Sequence, residues 1–363
     1  MTQIAILTRT FDDVVGGVEK MVLALAEGLT EQGHKVTIIS LDLLASKSYF
    51  EWPIAVDWEK LNLGNPNLKA SFRIRARRVR AIRKILKLRN IKTVIGFQIG
   101  SFALVRFSSI GLGIHSVAAE RNSPTLFNFI RFGRLKRIIS QLILLSASKV
   151  TVQFENYRNL YPKLIQKRLL VTPNPVKMVY GFFPIWEREE MHDSTNIRLL
   201  YIGRFSYQKN VECLVSAFEL LPERFSLTLL GPESHKFKSN FFNIKANPRI
   251  ETRDEMINLN EVYFSHDIFC LASRFEGFPN VVGEALAHGL PVVGFEECSG
   301  MRELISPGIN GEIACGNDDH VAFSKAILRA SVKVYNRKII SESINRYTLE
   351  NFLKSWTLAI EPK

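Results

Sequence analysis

The chain has 363 residues, 46% of them hydrophobic and 23% charged, a balance that supports two separate α/β cores and excludes a disordered polymer. Its 48 Lys and Arg against 35 Asp and Glu give a formal net charge of +13, which points to an anionic partner: nucleic acid, a membrane surface or a phosphorylated ligand. The longest apolar run, near Ile138, is interrupted by Ser140 and Gln141, and the N-terminus lacks a basic-then-apolar signal pattern, so neither a membrane span nor export is expected.

Thr2 to Thr8 reads as a first strand, followed by Gly16-Gly17 and a helix from Val18 to Thr30. The glycine pair would let the backbone approach a ligand at a helix N-terminus, although it is not a full dinucleotide-binding fingerprint. Gly33-His34 then leads into a strand over Lys35 to Leu41. From Lys69 to Lys92 there are eleven Lys or Arg and no acidic residue. On a helical wheel Arg73, Arg77, Arg80, Lys84 and Lys87 fall within an arc of about 80°, beside Phe72, Ala76, Val79, Ile82 and Leu86. Arg75, Arg78 and Arg83 intrude on the apolar face. Such a helix either lies solvated on the surface or meets anionic lipid or a diphosphate.

Strands are expected over Lys92 to Phe97 and Ser116 to Ala119. The polar cluster Glu120-Arg121-Asn122-Ser123-Pro124 follows where a strand gives way to a loop, and a second basic patch, Arg131, Arg134, Lys136 and Arg137, precedes an apolar segment from Ile138 to Leu145. Lys149 to Phe154 reads as a strand. Prolines on either side of Asn174 stop regular structure, so a first domain over 1–176 and a linker over 177–196 are expected.

A second domain over 197–345 opens with a strand at Ile197 to Ile202. Gly203-Arg204 and Lys209-Asn210 lie in the loop after it, before a helix from Val211 to Leu221. Two cations five residues apart at a helix N-terminus make a diphosphate-binding arrangement. Phe225 to Leu230 is a further strand. The stretch Ser273 to Val293 lies between the apolar runs Asp267 to Leu271 and Leu290 to Gly294 and reads as strand, loop, helix, strand, with the helix from Val281 to Ala287. Its loop then opens at the carboxyl edge of a parallel sheet, where such sheets place ligands. Glu276 precedes the helix and Glu284 lies inside it, two carboxylates spaced to grip the ends of a nucleotide sugar, and the backbone N–H groups of the Phe278 to Val282 segment suit an anion or sugar hydroxyls. A last helix from Leu349 to Ala359, within a segment 346–363, is expected to cross back onto the first domain. The four cysteines, Cys213, Cys270, Cys298 and Cys315, show no paired spacing and suggest a reducing compartment without a structural metal.

Glu276-Gly277-Phe278-Pro279-Asn280-Val281, the second carboxylate Glu284, and Ala285-Leu-Ala-His-Gly-Leu-Pro-Val-Val293 resemble the donor-site signature of glycosyltransferase family 4, of the α/β GT-B fold: two Rossmann-like, doubly wound domains facing a cleft. Gly203-Arg204 and Lys209-Asn210 occur in the family order. The resemblance implies that Glu276 contacts the transferred sugar, that Glu284 holds the ribose and that Arg204 and Lys209 neutralise the leaving diphosphate. It further implies that Gly16 and Gly17 line the cleft, and that Arg253 lies where the nucleobase is held through the backbone. Where many relatives carry a histidine, this chain has Arg121. The expected reaction is retaining transfer of a hexose or N-acetylhexosamine, with a UDP-sugar as the favoured donor and no metal. The expected acceptor is a glycan on a polyprenyl diphosphate at the inner face of a bacterial membrane, with the basic helix, and Arg121, meeting acceptor or lipid. An epimerase or hydrolase of the same fold and a basic nucleic-acid-binding protein are the rivals. The second lacks aromatic side chains interleaved with the cations for base stacking, so no nucleic-acid partner is expected.

Overall fold

Short aliphatic runs buried on both faces pair in parallel, because each is followed by a segment long enough to return across the sheet. The computed structural model describes residues 1–12, 16–179, 196–232, 247–254 and 259–362. The chain divides into two compact units, one of Met1–Pro175 with Leu349–Lys363 and one of Val176–Thr348. Most of the segment expected as a linker, 180–195, lies outside the described residues. Among the described residues no helix is long and apolar enough to cross a membrane.

The first unit contains β1 (Gln3–Leu7), α1 (Gly17–Glu31), β2 (Lys35–Ser40), β3 (Asp57–Lys60), α2 (Phe72–Leu88), β4 (Thr93–Phe97), α3 (Gln98–Ser109), β5 (His115–Ala119), α4 (Gly133–Leu144), β6 (Lys149–Val152), α5 (Lys163–Gln166) and β7 (Leu169–Val171). The strands form one parallel sheet in the order β3-β2-β1-β4-β5-β6-β7. Right-handed crossovers put α1 on one face and α2, α3 and α4 on the other. Two cores follow. Met21, Val22, Leu25 and Leu29 of α1 pack with Phe352 and Trp356 of the C-terminal helix (Leu349–Ile360), and Ile82 and Leu86 of α2 pack with Val105 of α3.

Among the elements of this unit that have no counterpart in the sequence expectation are β3, α3, α5 and β7. β3 is an edge strand of Asp-Trp-Glu-Lys, with no buried run to mark it. α3 starts directly on β4 with no turn residue between them. Gln98 takes the left-handed φ of 67° at the corner, and a Cβ on Gly96 would lie 2.4 Å from Phe102 Cα, so the helix folds back tightly onto its own strand.

Two of the three intruding arginines of α2, Arg78 and Arg83, turn out to be anchors, while Arg75 is exposed. Arg78 is buried and donates to the carbonyls of Leu63 and Gly64, and Arg83 donates to those of Ser108 and Ile110. Arg73, Arg77, Arg80, Lys84 and Lys87 are exposed, and none pairs with a carboxylate among the described residues.

The second unit contains β8 (Ile197–Ile202), α6 (Val211–Glu219), β9 (Phe225–Leu230), β10 (Ile250–Arg253), α7 (Asn260–Phe264), β11 (Ile268–Leu271), α8 (Asn280–Ala287), β12 (Val292–Phe295), α9 (Met301–Leu304), β13 (Gly311–Ala314), α10 (His320–Ser331) and α11 (Arg337–Glu342). Its sheet is parallel throughout, in the order β10-β9-β8-β11-β12-β13.

Trp356 is fully buried, with its ring stacked on Phe97 at 5.6 Å. Trp356→Ala is expected to lower the stability of the first unit by about 3–5 kcal/mol, measured by urea unfolding; a loss under about 1 kcal/mol would mean that the C-terminal helix is not part of that core.

Candidate active site

In the second unit the strand order reverses between β8 and β11, so the loops leaving their carboxyl ends diverge and open a crevice. The first loop, 203–210, is crowded. Tyr201 Oη donates to the Arg204 carbonyl at 2.8 Å, and a Cβ on Gly231 would come within 2.0 Å of the Gly203 carbonyl oxygen. Asn210 enters α6 through a left-handed φ of 52° and donates to Asp318 at 2.6 Å. Arg204 is exposed and has no carboxylate partner among the described residues.

The second loop, 272–279, brings Glu276 to the first. Lys209 Nζ donates to Glu276 Oε1 at 2.7 Å, with the two side chains only 13% and 7% exposed. Ser273 Oγ donates to the same oxygen at 2.8 Å, and Gln208 Nε2 reaches Oε2 at 3.1 Å and the Phe275 carbonyl at 3.0 Å. The backbone N–H of Arg274 closes the junction on the Gln208 carbonyl at 2.9 Å. Three donors, one of them the Lys209 ammonium, meet the charge of this buried carboxylate. Burial, with a lesser contribution from that charge, pushes the Tyr201 phenol and the Cys298 thiol well above their ordinary values, so both stay neutral.

Glu284 lies on α8 and accepts from Tyr263 Oη at 3.0 Å. The Tyr263 ring stacks on His288 at 4.6 Å, and His288 spans from the Glu284 carbonyl (2.7 Å) to Asn260 Oδ1 (3.0 Å). Burial lowers the His288 pKa, which keeps this support neutral at pH 7.

Other expected site residues fare differently. The N-terminus of α8 offers fewer donors than its sequence suggests: Pro279 has none, and the Val282 N–H bonds the Pro279 carbonyl at 2.9 Å. Phe278 is buried against Tyr347, while Gly277, Asn280 and Val281 are half-buried around it. Gly283 lets α8 pack closely, since a Cβ there would lie 2.7 Å from Val176 Cγ2. Arg253 ends the edge strand β10. Its guanidinium pairs with Glu251 at 2.7 Å, and its carbonyl accepts the Gly231 N–H at 3.0 Å, so one lone pair of that backbone group is already used. In the first unit Gly16 caps α1 with an ordinary φ of −128° and Gly17 begins the helix; neither adopts the left-handed conformation that only glycine takes easily.

Arg121 is a correction. Expected at an acceptor or lipid surface, it is 5% exposed. It donates to the Thr172 carbonyl (2.7 Å), Thr172 Oγ1 (2.7 Å) and Thr151 Oγ1 (2.9 Å), and lies over the rings of Trp356 (5.2 Å) and Phe97 (5.7 Å). It ties β6 and the end of β7 to the C-terminal helix, because a guanidinium can satisfy several carbonyls while its flat face lies against aromatic rings.

Gln208, Ser273 and Tyr263 were not singled out from the sequence. Gln208 adjoins Lys209 and Ser273 lies three positions before Glu276, and their amide and hydroxyl were the available signal. Tyr263 is 21 positions from Glu284 on another helix, and no spacing rule connects them.

Two family models match. "Glycosyltransferase Family 4" covers residues 15–178 and "Glycosyl transferases group 1" covers 196–331. The chain belongs to these glycosyltransferases. An uncharacterized glycosyltransferase of Haemophilus influenzae is 24% identical over 361 residues, 94% of this chain and 95% of that one. An alpha-1,4-N-acetyl-D-galactosaminyltransferase of Campylobacter jejuni, named for a diNAcBac-PP-undecaprenol-linked glycan, is 22% identical over 90% of this chain and 88% of its own. Among solved structures, the apo lipopolysaccharide outer core galactosyltransferase WaaB aligns with TM-score 0.78 at 20% identity over 99% of both chains. HepE of Anabaena, in complex with UDP-glucose, aligns with TM-score 0.72 at 14% identity over 99% of this chain and all of that one. The fold is therefore GT-B, an α/β architecture with two doubly wound sheets.

In this glycosyltransferase Glu120 is buried next to Arg121. Burial pushes its pKa from 4.5 up to about 7, against the pull of the guanidinium, and burial draws Arg121 down to about 9. Between pH 4.5 and 7 the folded chain holds a proton at Glu120 that the unfolded chain has lost. Stability is therefore expected to fall as pH rises across that window, by up to about 3 kcal/mol. Glu120→Gln should flatten this slope in urea melts taken at a series of pH values; an unchanged slope would mean that Glu120 ionises normally.

Proposed function

We propose that this glycosyltransferase moves a hexose or N-acetylhexosamine from a UDP-sugar to a glycan on a polyprenyl diphosphate, with retained configuration. The observation that carries the reading is the Lys209–Glu276 pair, joined at the strand reversal of the second sheet with Arg204 exposed on the same loop. A buried ion pair adds little net stability, whereas a cation and a carboxylate held side by side suit a sugar with a diphosphate leaving group. In this reading Glu276 accepts from the hydroxyls of the transferred sugar and Glu284, oriented by Tyr263, accepts from the ribose.

Breaking the bond between the anomeric carbon and the diphosphate oxygen leaves negative charge on phosphate. Lys209 and Arg204 meet that charge as fixed cations, so the reading requires no metal. The acceptor oxygen forms the new bond on the same face of the sugar, and its proton passes to the departing phosphate oxygen. Retention and the diphosphate roles rest on the family pattern around Gly203 to Asn210 and Glu276 to Glu284. The choice of UDP is supported by the UDP-glucose complex of the Anabaena neighbour. The lipid-linked acceptor is supported by the undecaprenol-linked glycan for which the Campylobacter relative is named and by the exposed cationic face of α2, which fits a membrane-surface enzyme at the inner face of a bacterial cytoplasmic membrane.

Thermal shift with UDP-, GDP- and ADP-sugars, in buffer with a metal chelator, tests the donor. A UDP-sugar should raise the melting temperature of the wild type and not of Glu284→Ala. A shift with GDP- or ADP-sugar alone would replace the base, and no shift with any would remove the donor site. Once an acceptor is in hand, Lys209→Ala and Arg204→Ala should each lower kcat by about 10²–10³, and a change in KM alone would contradict a role in leaving-group departure.

A further inference from the structure

α4 is amphipathic in the reverse sense for a helix packed on a sheet. Gly133, Ser140 and Leu144 face inward, and a Cβ on Gly133 would lie 1.7 Å from the Phe127 carbonyl oxygen, so the helix sits tightly against its neighbours through its small residues. Leu135, Ile138, Ile139 and Leu142 face outward and are 58%, 55%, 48% and 62% exposed. Their spacing of three, four and seven places them within an arc of about 100°. Arg134 and Lys136, both exposed, fall about 90–110° to either side of that stripe. Phe132, 65% exposed in a left-handed conformation with φ 59°, extends the apolar surface at its N-terminal end, with the Arg131 guanidinium 4.9 Å from the ring.

We propose that α4 docks on an anionic lipid bilayer, with its aliphatic stripe entering the acyl boundary and its flanking cations at the headgroups. An apolar stripe bordered by cations on both sides matches the polarity profile of a membrane interface. No Asp or Glu occurs between Glu120 and Glu155, so nothing on this segment repels anionic lipid. α4 also belongs to the sheet face that carries α2, with α3 packed between them, so the cationic face of α2 and the apolar stripe of α4 are parts of one helical layer. α2 supplies long-range attraction and α4 supplies insertion. The proposal rests on the membrane-surface reading of the acceptor above, but it is independent of the donor site in the other unit.

The test is co-sedimentation of the full chain with vesicles of phosphatidylcholine, alone or with phosphatidylglycerol, for the wild type, for Leu135→Ser/Ile139→Ser/Leu142→Ser, and for Arg73→Glu/Arg77→Glu/Arg80→Glu. The substituted side chains are exposed, so both variants should melt like the wild type. The serine variant should lose about tenfold or more in partitioning onto anionic vesicles, while its melting-temperature shift with the nucleotide sugar stays that of the wild type. Wild-type binding should persist in part at about 1 M salt, where charge is screened within about 3 Å. Wild-type partitioning by the serine variant, with loss confined to the α2 variant, would overturn the proposal and leave the membrane reading standing. Failure of the wild type to sediment with any vesicle would overturn both, while a preserved nucleotide-sugar shift would leave the transferase reading intact. A wild-type dimer that the serine variant converts to monomer would assign the stripe to a second copy instead.

Discussion

Parallel strand pairing is the constraint on which this molecule depends. A parallel strand cannot be followed by a hairpin, so every connection must return across the sheet, and right-handed crossovers fix which face each returning helix covers. The loops that leave the carboxyl edge are free to carry chemistry, since the hydrogen bonds of the strands hold their roots. In the second unit the order reverses between β8 and β11, and the loops on either side of that reversal carry Lys209 and Glu276. Their contact at 2.7 Å is a consequence of topology: residues 67 positions apart meet because two adjacent strands send their loops in opposite directions.

The same rule makes the first unit asymmetric. One face of its sheet is closed by α1 and the C-terminal helix over a core that includes Phe97 and Trp356. The other is covered by α2, α3 and α4, two of which direct unusual surfaces outward: α2 a band of cations, α4 a band of aliphatic side chains. Arg121 belongs to the closed side. A guanidinium there completes the hydrogen bonding of β6 and β7 beneath the C-terminal helix, where an exposed arginine would have served a ligand. The difference in role follows from burial, since within the core its charge is worth most to carbonyls and aromatic rings that have no water to turn to.

The carboxylates of the candidate site are each supported from outside the motif that contains them. Glu276 takes donors from Gln208 and Lys209 of another loop as well as from Ser273, and Glu284 takes one from Tyr263 of α7. Fixed donors around a carboxylate hold its rotamer before a ligand arrives, which reduces the ordering that binding must impose.

The sequence by itself determined the α/β class, the family and most strand positions, because these depend on local signals. Strands over Ile197–Ile202 and Phe225–Leu230 have the bounds expected from composition, and Arg204 and Glu276 stand beside glycines that mark loops. β3 and α3 stayed hidden because an edge strand need not be apolar and a corner at Gln98 needs no turn residue when a close Gly96–Phe102 approach holds it. Only the tertiary structure decided that Arg121 is a core residue, that Arg78 and Arg83 are anchors, that Tyr263 supports Glu284 and that the apolar stripe of α4 faces outward. Each of these is a question of which side of an element meets a neighbour, and periodicity defines the sides of a helix without saying which one the rest of the chain will cover.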